Sequence, residues 1–406
     1  MKRKSPYQLS RRISSLSTYP FAVLERKVDQ LRSRGIRIID LGVGSPTAET
    51  PPYIRRALKT SVDRRKNEGY PTYEGHRAFR EAAANYLKKR FGVSLDPQSE
   101  ITSCIGTKEA IFHLPEAFVN PGDFVICPSP GYSPYQRGTL FAEGKAFFLP
   151  LLAQNNFLPD FGRVPKRIAN KAKIFWINYP NNPTSATAPP DFYRETLRFA
   201  RKYGIILCSD ESYVDIYYKE PPPSALQFGK EGVISFFSLS KRSAMANYRI
   251  GFVAGDRKII AGLRKVKTNA DTGSPTFIQD AAIAALSDER HPEKMREDYR
   301  KKRDIFCRAL TASGFADCTP QATFYIWQKL HRGEKSVRFA EKLLSPDIAI
   351  AVMPGTYLAE PVQGRNPGEG YIRIALVAPL SEIITATKRI STFAHNSTGG
   401  GRFCGI

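Results

Sequence analysis

Val233-Ile234-Ser235-Phe236-Phe237-Ser238-Leu239-Ser240-Lys241 is the stretch on which the reading of the fold turns. Residues 233–237 are apolar, β-branched and aromatic, the pattern of a strand buried on both faces. Lys241 therefore stands where a strand ends and the chain turns, a place from which an amine projects into a cleft. Two serines precede it closely, and Arg249 follows eight residues on. A lysine amine forms a Schiff base with an aldehyde cofactor, and hydroxyls with a guanidinium suit a phosphate. Read alone, S-x-S-K is more readily the mark of one more surface lysine; its neighbours along the chain decide.

Outward from it, apolar strands alternate with helices. Strands are expected at 100–105, 124–128, 173–178 and 205–209, with helices at 78–91, 110–119 and 191–202 between them. Continuous apolar strands separated by helices predict a mostly parallel central sheet with helices on both faces, an α/β fold. In such sheets ligands bind beyond the strands' C-terminal ends, where Asn182, Asp210 and Tyr213 fall. Each also has a local reading, as turn residue, cap or core. Gly106-Thr107-Lys108 joins a strand to a helix start, which presents N–H groups and a positive helix end to an anion; Thr107 is equally an ordinary cap. Residues 36–46 run from a strand into Gly42-Val43-Gly44, but Pro46 and Thr47 break the dinucleotide-binding fingerprint. Gly44 instead allows close backbone approach to a ligand or another chain. Tyr70 reads as loop packing or as a phosphate-contacting hydroxyl.

Beyond Gly255 come helices at 257–267, 276–286 and 292–312. A mixed unit follows: strand 323–329, helix 337–344, strands 349–354 and 370–378, helix 380–394. This predicts a large domain over 48–290 and a smaller α+β domain over 291–395, which residues 1–47 join, with a disordered tail at 396–406. Arg373, inside an apolar strand, either pairs with a buried acid or binds a ligand carboxylate.

The chain has 406 residues, 42% of them hydrophobic and 24% charged, as in globular proteins with a substantial core. It has no apolar run of membrane-spanning length and no secretory apolar segment at its start. Its basic, Ser-rich N-terminus resembles a transit peptide, yet residues 10–46 already read as folded enzyme. Six scattered cysteines, without a C-x-x-C pair or a metal-like Cys/His cluster, point to a reducing cytoplasm and no metal. The formal charge of +23 is compatible with nucleic acid, but the basic runs are short and carry no aromatic–basic RNA motif or zinc finger. A cationic enzyme surface attracting acidic substrates is the expectation.

Taken in order, Tyr70, Gly106-Thr107-Lys108, Tyr132, Asn182-Pro183-Thr184, Asp210-Glu211-Ser212-Tyr213, Ser238 to Lys241, Arg249 and Arg373 resemble the fold type I, pyridoxal-phosphate-dependent class I/II aminotransferases. The resemblance runs from about Ser10 to Ala394. It implies that Lys241 holds the cofactor and moves a proton between Cα and C4′. Asp210 would face the pyridine nitrogen, Asn182 and Tyr213 the ring oxygen, and Tyr132 the ring face. Gly106, Thr107, Lys108, Ser238, Ser240 and Arg249 would hold the phosphate. Tyr70 would reach the neighbouring subunit's phosphate in a homodimer, and Arg373 would clamp the substrate α-carboxylate beside Gly44 and Asn182. Within the family, residues 70–75, 130–135, 265–273 and 322–327 are most similar to the LL-diaminopimelate and succinyldiaminopimelate aminotransferases. Arg242 and Ser243, Asn247-Tyr248, and Ser185 depart from the residues usual there. The expected activity is amino transfer from a donor such as glutamate to a 2-oxo acid in lysine synthesis. Aspartate, alanine or aromatic aminotransferases, a pyridoxal-phosphate-dependent C–S lyase, and a nucleic-acid-binding regulator on this scaffold are the alternatives.

Overall fold

The computed structural model describes residues 7–16 and 20–398. Its strands in chain order are β1 (Ile39–Asp40), β2 (Ile101–Cys104), β3 (Phe124–Ser129), β4 (Lys145–Pro150), β5 (Ala172–Asn178), β6 (Ile206–Asp210), β7 (Val233–Ser238), β8 (Gly251–Gly255), β9 (Tyr325–Lys329), β10 (Ile350–Ala351), β11 (Met353–Pro354) and β12 (Tyr371–Ala375).

Seven of them form one sheet in the order β2-β8-β7-β6-β5-β3-β4. Strands β7, β6, β5, β3 and β4 are parallel, and β8 runs antiparallel to both β7 and β2. Alternation along a strand shows why both faces are dry. In β5, Phe175 and Ile177 enter one core, with Phe192 and Leu197 of the helix Pro190–Tyr203. Ile174 and Trp176 enter the other, with Ile111 and Leu114 of the helix Thr107–Phe118. Every residue of β7 is buried. The sheet is thus mostly parallel and covered on both faces, as expected from the sequence.

A second unit is built on the antiparallel sheet β11-β12-β9, packed against the helices Arg290–Ala312, Ser336–Leu343 and Leu380–Thr398. Its core includes Phe306, Ile326, Phe339, Ile372 and Ile383. The N-terminal segment contributes Ile39 and Leu41 to the same core and pairs β1 with β10 in parallel. The stretch expected as one strand over 349–354 is two short strands, β10 and β11, paired with different partners. Residues 396–398, expected in a disordered tail, end the last helix; the tail from 399 lies outside the described residues. No described helix is long and apolar enough to cross a membrane.

Candidate active site

Between the C-terminal ends of the parallel strands and the second unit lies a cavity of about 750 Å³. All the residues singled out from the sequence line it, except Gly106 and Tyr70.

Lys241 sits on the single helical turn Leu239–Arg242, directly after β7. Ser238 caps that turn, its hydroxyl accepting from the Ser240 amide at 3.2 Å. The Lys241 ammonium donates to Gly44 O at 2.9 Å. Burial and the neighbouring Arg373 and Arg249 charges bring its pKa down to about 8, against the opposing pull of Asp210. The amine is therefore partly neutral near physiological pH, the state in which it acts as nucleophile or base.

Asp210 closes β6 and is 4% exposed. Its Oδ2 accepts from the Tyr135 hydroxyl at 2.7 Å, and its Oδ1 from the Ser212 amide at 3.1 Å and hydroxyl at 2.6 Å. Burial raises the carboxyl's pKa, and these donors oppose the rise. Such an anion, held by three donors in a dry place, is built to face a cation or a protonated ring nitrogen. Behind it, the Asn178 amide donates to Asp210 O and its Oδ1 accepts from the Asn182 amide. Tyr213 shares a hydrogen bond with the Tyr325 hydroxyl at 3.0 Å.

A second polar cluster surrounds the start of the helix Thr107–Phe118. Its cap, Gly106, has φ +71°, and an added Cβ would lie 2.3 Å from Arg249 Nη2. Only a glycine lets that guanidinium approach the helix end. Arg249 is itself left-handed, at φ +51°. Lys108 follows, its pKa lowered by burial and then by the Arg137 and Arg249 charges. Cations converging on a helix N-terminus, with the Thr107, Ser238 and Ser240 hydroxyls lining the same cavity, fit a phosphate. Tyr132 lines the cavity nearby, edge-on to Tyr135.

The second unit supplies Arg373, in the middle of β12 and 1% exposed. It donates to Asn182 Oδ1 at 2.8 Å and to Gly42 O at 2.7 Å, and its guanidinium lies 4.3 Å from the Tyr325 ring centroid. Gly44 has no room for a side chain, since a Cβ would stand 2.0 Å from the Tyr325 hydroxyl. Tyr70 is 92% exposed and lies away from the cavity.

Asn178, Tyr135, Ser212 and Tyr325 take part in the site, and sequence reasoning gave none of them a part. Tyr135 and Ser212 stand in the quoted motifs, three residues after Tyr132 and two after Asp210. Their partners are visible only in three dimensions.

A lysine, a buried aspartate, a cationic helix start that fits a phosphate and an arginine share one cavity, an arrangement suited to a pyridoxal-phosphate enzyme. The chain belongs to the aminotransferase class I and II family, whose model matches residues 36–387, and it is a pyridoxal-phosphate-dependent transaminase. It is 43% identical over 388 residues to the LL-diaminopimelate aminotransferase of Aquifex aeolicus, covering 95% of this chain and 98% of that one. Among solved structures, substrate-bound BacF from Bacillus subtilis superposes with a TM-score of 0.89 at 30% identity, covering 96% and 98% of the two chains. A probable N-succinyldiaminopimelate aminotransferase from Thermus thermophilus does so at 0.84 and 32%, covering 92% and 99%.

Proposed function

We propose that this transaminase acts on LL-diaminopimelate or its 2-oxo counterpart, with glutamate and 2-oxoglutarate as the exchanging pair, in lysine synthesis. The observation that carries the substrate is the 43% identity over nearly the whole of both chains to an LL-diaminopimelate aminotransferase. The pairing of Lys241, Asp210 and Arg373 in one cavity supports the chemistry.

Pyridoxal phosphate, when bound, supplies an electron-withdrawing ring that accepts the electron pair left at the substrate's Cα. Lys241 would hold the aldehyde and, as a free amine, would move the proton at the substrate's Cα. Asp210, kept anionic by Tyr135 and Ser212, holds a proton on the ring nitrogen. Arg249, Lys108, Ser238, Ser240, Thr107 and the Gly106 turn bind the phosphate. Asn182 and Tyr213 bind the ring oxygen, and Tyr132 covers the ring face. Arg373 fixes the α-carboxylate beside Gly44 and Asn182 with a planar fork.

The exposed Tyr70 hydroxyl is read as serving a second copy of the chain, which makes the working form a homodimer. The seven-stranded sheet and the sheet β11-β12-β9 are read as the cores of domains 48–290 and 291–395. Free thiols at the five described cysteines agree with a reducing cytoplasm.

The test is a panel of amino donors with 2-oxoglutarate on the purified holoenzyme. LL-diaminopimelate is expected to give the highest kcat/KM, above succinyldiaminopimelate, aspartate, alanine and the aromatic amino acids. A higher value for any of these would reassign the substrate. Pyruvate and ammonia released from cystathionine, in place of amino transfer, would make the protein a lyase.

A further inference from the structure

Lys241 and Arg242 are consecutive on one helical turn, where successive side chains point about 100° apart, and they serve different surroundings. Lys241 enters the cavity. Arg242 turns into the protein behind it and is 4% exposed. Its Nε lies 2.8 Å from Asp215 Oδ2. Its Nη1 donates to Ala285 O at 2.8 Å and its Nη2 to Glu289 Oε1 at 2.5 Å, while the guanidinium lies 5.1 Å from the Tyr86 ring centroid. Asp215, 5% exposed, also accepts from the Tyr86 hydroxyl at 2.7 Å and from Arg90 Nε at 3.3 Å.

The two partners are placed tellingly. Arg242 directly follows the lysine; Asp215 stands two residues past Tyr213 and five past Asp210. The ion pair therefore joins the segment leaving β7 to the segment leaving β6. The turn that carries Lys241 spans only four residues, too few to hold its own shape, and the chain leaves it through Ala244 at φ +52°. Its geometry must come from what anchors it. Stability alone is a weak reason for a buried ion pair, because apolar replacements of similar volume often serve as well. A guanidinium hydrogen-bonded to Glu289 and Ala285 O and ion-paired with Asp215 does supply direction, which an apolar side chain does not.

We propose that the Arg242–Asp215 pair is a positioning device that sets where the Lys241 amine stands relative to Asp210 and Tyr213. This rests on reading Lys241 as the lysine that holds the cofactor.

The test compares the parent with Arg242→Lys and with the double variant Arg242→Met/Asp215→Asn, which removes both charges of the pair together; Glu289 and Arg90, which each lose a partner, keep 30% and 16% side-chain exposure to water. In the double variant, kcat with glutamate is expected to fall about tenfold or more, as small misplacements of reacting groups do, with KM within about twofold. The visible circular dichroism of the bound cofactor changes. In the cofactor-free protein, amides 239–243 exchange at least about tenfold faster. Arg242→Lys, a charge without the fork, falls between the two. Parental kcat, dichroism and exchange in the double variant overturn the proposal. Should that variant not fold, Arg242→Lys decides, and parental kcat and dichroism there overturn it equally. Lys241→Ala run alongside must lose the cofactor's visible band; if it keeps the band, the lysine assignment itself fails, whatever the arginine variants do.

Discussion

The two walls of the cavity hold their charges differently. On the wall made by the seven-stranded sheet, Asp210 takes its donors from Ser212 and Tyr135, both carried by that sheet's own loops and helices. On the wall made by the three-stranded sheet, Arg373 finds its partners elsewhere. Asn182 follows β5 of the large sheet, and Gly42 follows β1. The donors that hold Asp210 thus all come from the large sheet and its connections, whereas the partners of Arg373 come from two other parts of the chain. Changes in how the two units pack should reach substrate binding first and cofactor chemistry last.

The harshest way to break the first wall is Lys241→Ala. On the proposed role of Lys241 it removes the nucleophile and the base together, so kcat should fall by at least about 10³-fold, and the cofactor's visible band should vanish. An absorbance titration with glutamate checks both.

The second wall breaks at Arg373→Gln. Losing a charged clamp on a carboxylate costs a few kcal/mol, on the order of 100-fold in KM for glutamate, and kcat should fall less. The same variant reports across the cavity. The Arg373 charge helps hold the Lys241 pKa down at about 8, so its removal raises that value. The pH at which cofactor-free protein begins to capture pyridoxal phosphate should move upward, since capture needs the neutral amine. A midpoint that stays in place or moves down would show the two walls to be electrostatically independent.

The same contrast explains what could be read from the sequence. β5, β6 and β7 are buried on both faces, so their apolar runs announce them, and Asn182, Asp210 and Lys241 follow at their ends. β4 (Lys145–Pro150) is an edge strand with its first four residues at least partly exposed, and its pattern is weak. β8 (Gly251–Gly255) begins and ends with glycine, a residue that carries no strand signal. The helix Pro52–Arg64 buries only Ile54 and Ser61, too few for a stripe. Arg373 was legible only as a choice between a buried acid and a ligand, because its partners lie some 190 and 330 residues away along the chain. Tyr135 was missed for the same kind of reason: its hydroxyl meets Asp210 across 75 residues.

Tyr135 gives the finest probe of the first wall. Its ring stacks on Trp176 with centroids 4.8 Å apart and planes 12° from parallel, and the side chain is 1% exposed. Tyr135→Phe keeps that packing and removes one donor to Asp210. Burial already pushes the Asp210 carboxyl toward its neutral form, and the tyrosine hydroxyl is one of the groups that resist this. Without it the folded-state pKa rises further, so the carboxylate is lost at a higher pH as the solution is acidified. A hydrogen bond to a charged group contributes about 1.5–3 kcal/mol, and on the proposed role of Asp210 part of that would bear on the proton of the ring nitrogen. We expect kcat to fall about tenfold at neutral pH, with KM for glutamate within about twofold, and the acid limb of the kcat profile to shift upward. A rise in KM without a change in kcat would place the hydroxyl's influence on the substrate side of the cavity, and the division between an aspartate held by its own sheet and an arginine held from elsewhere would no longer hold.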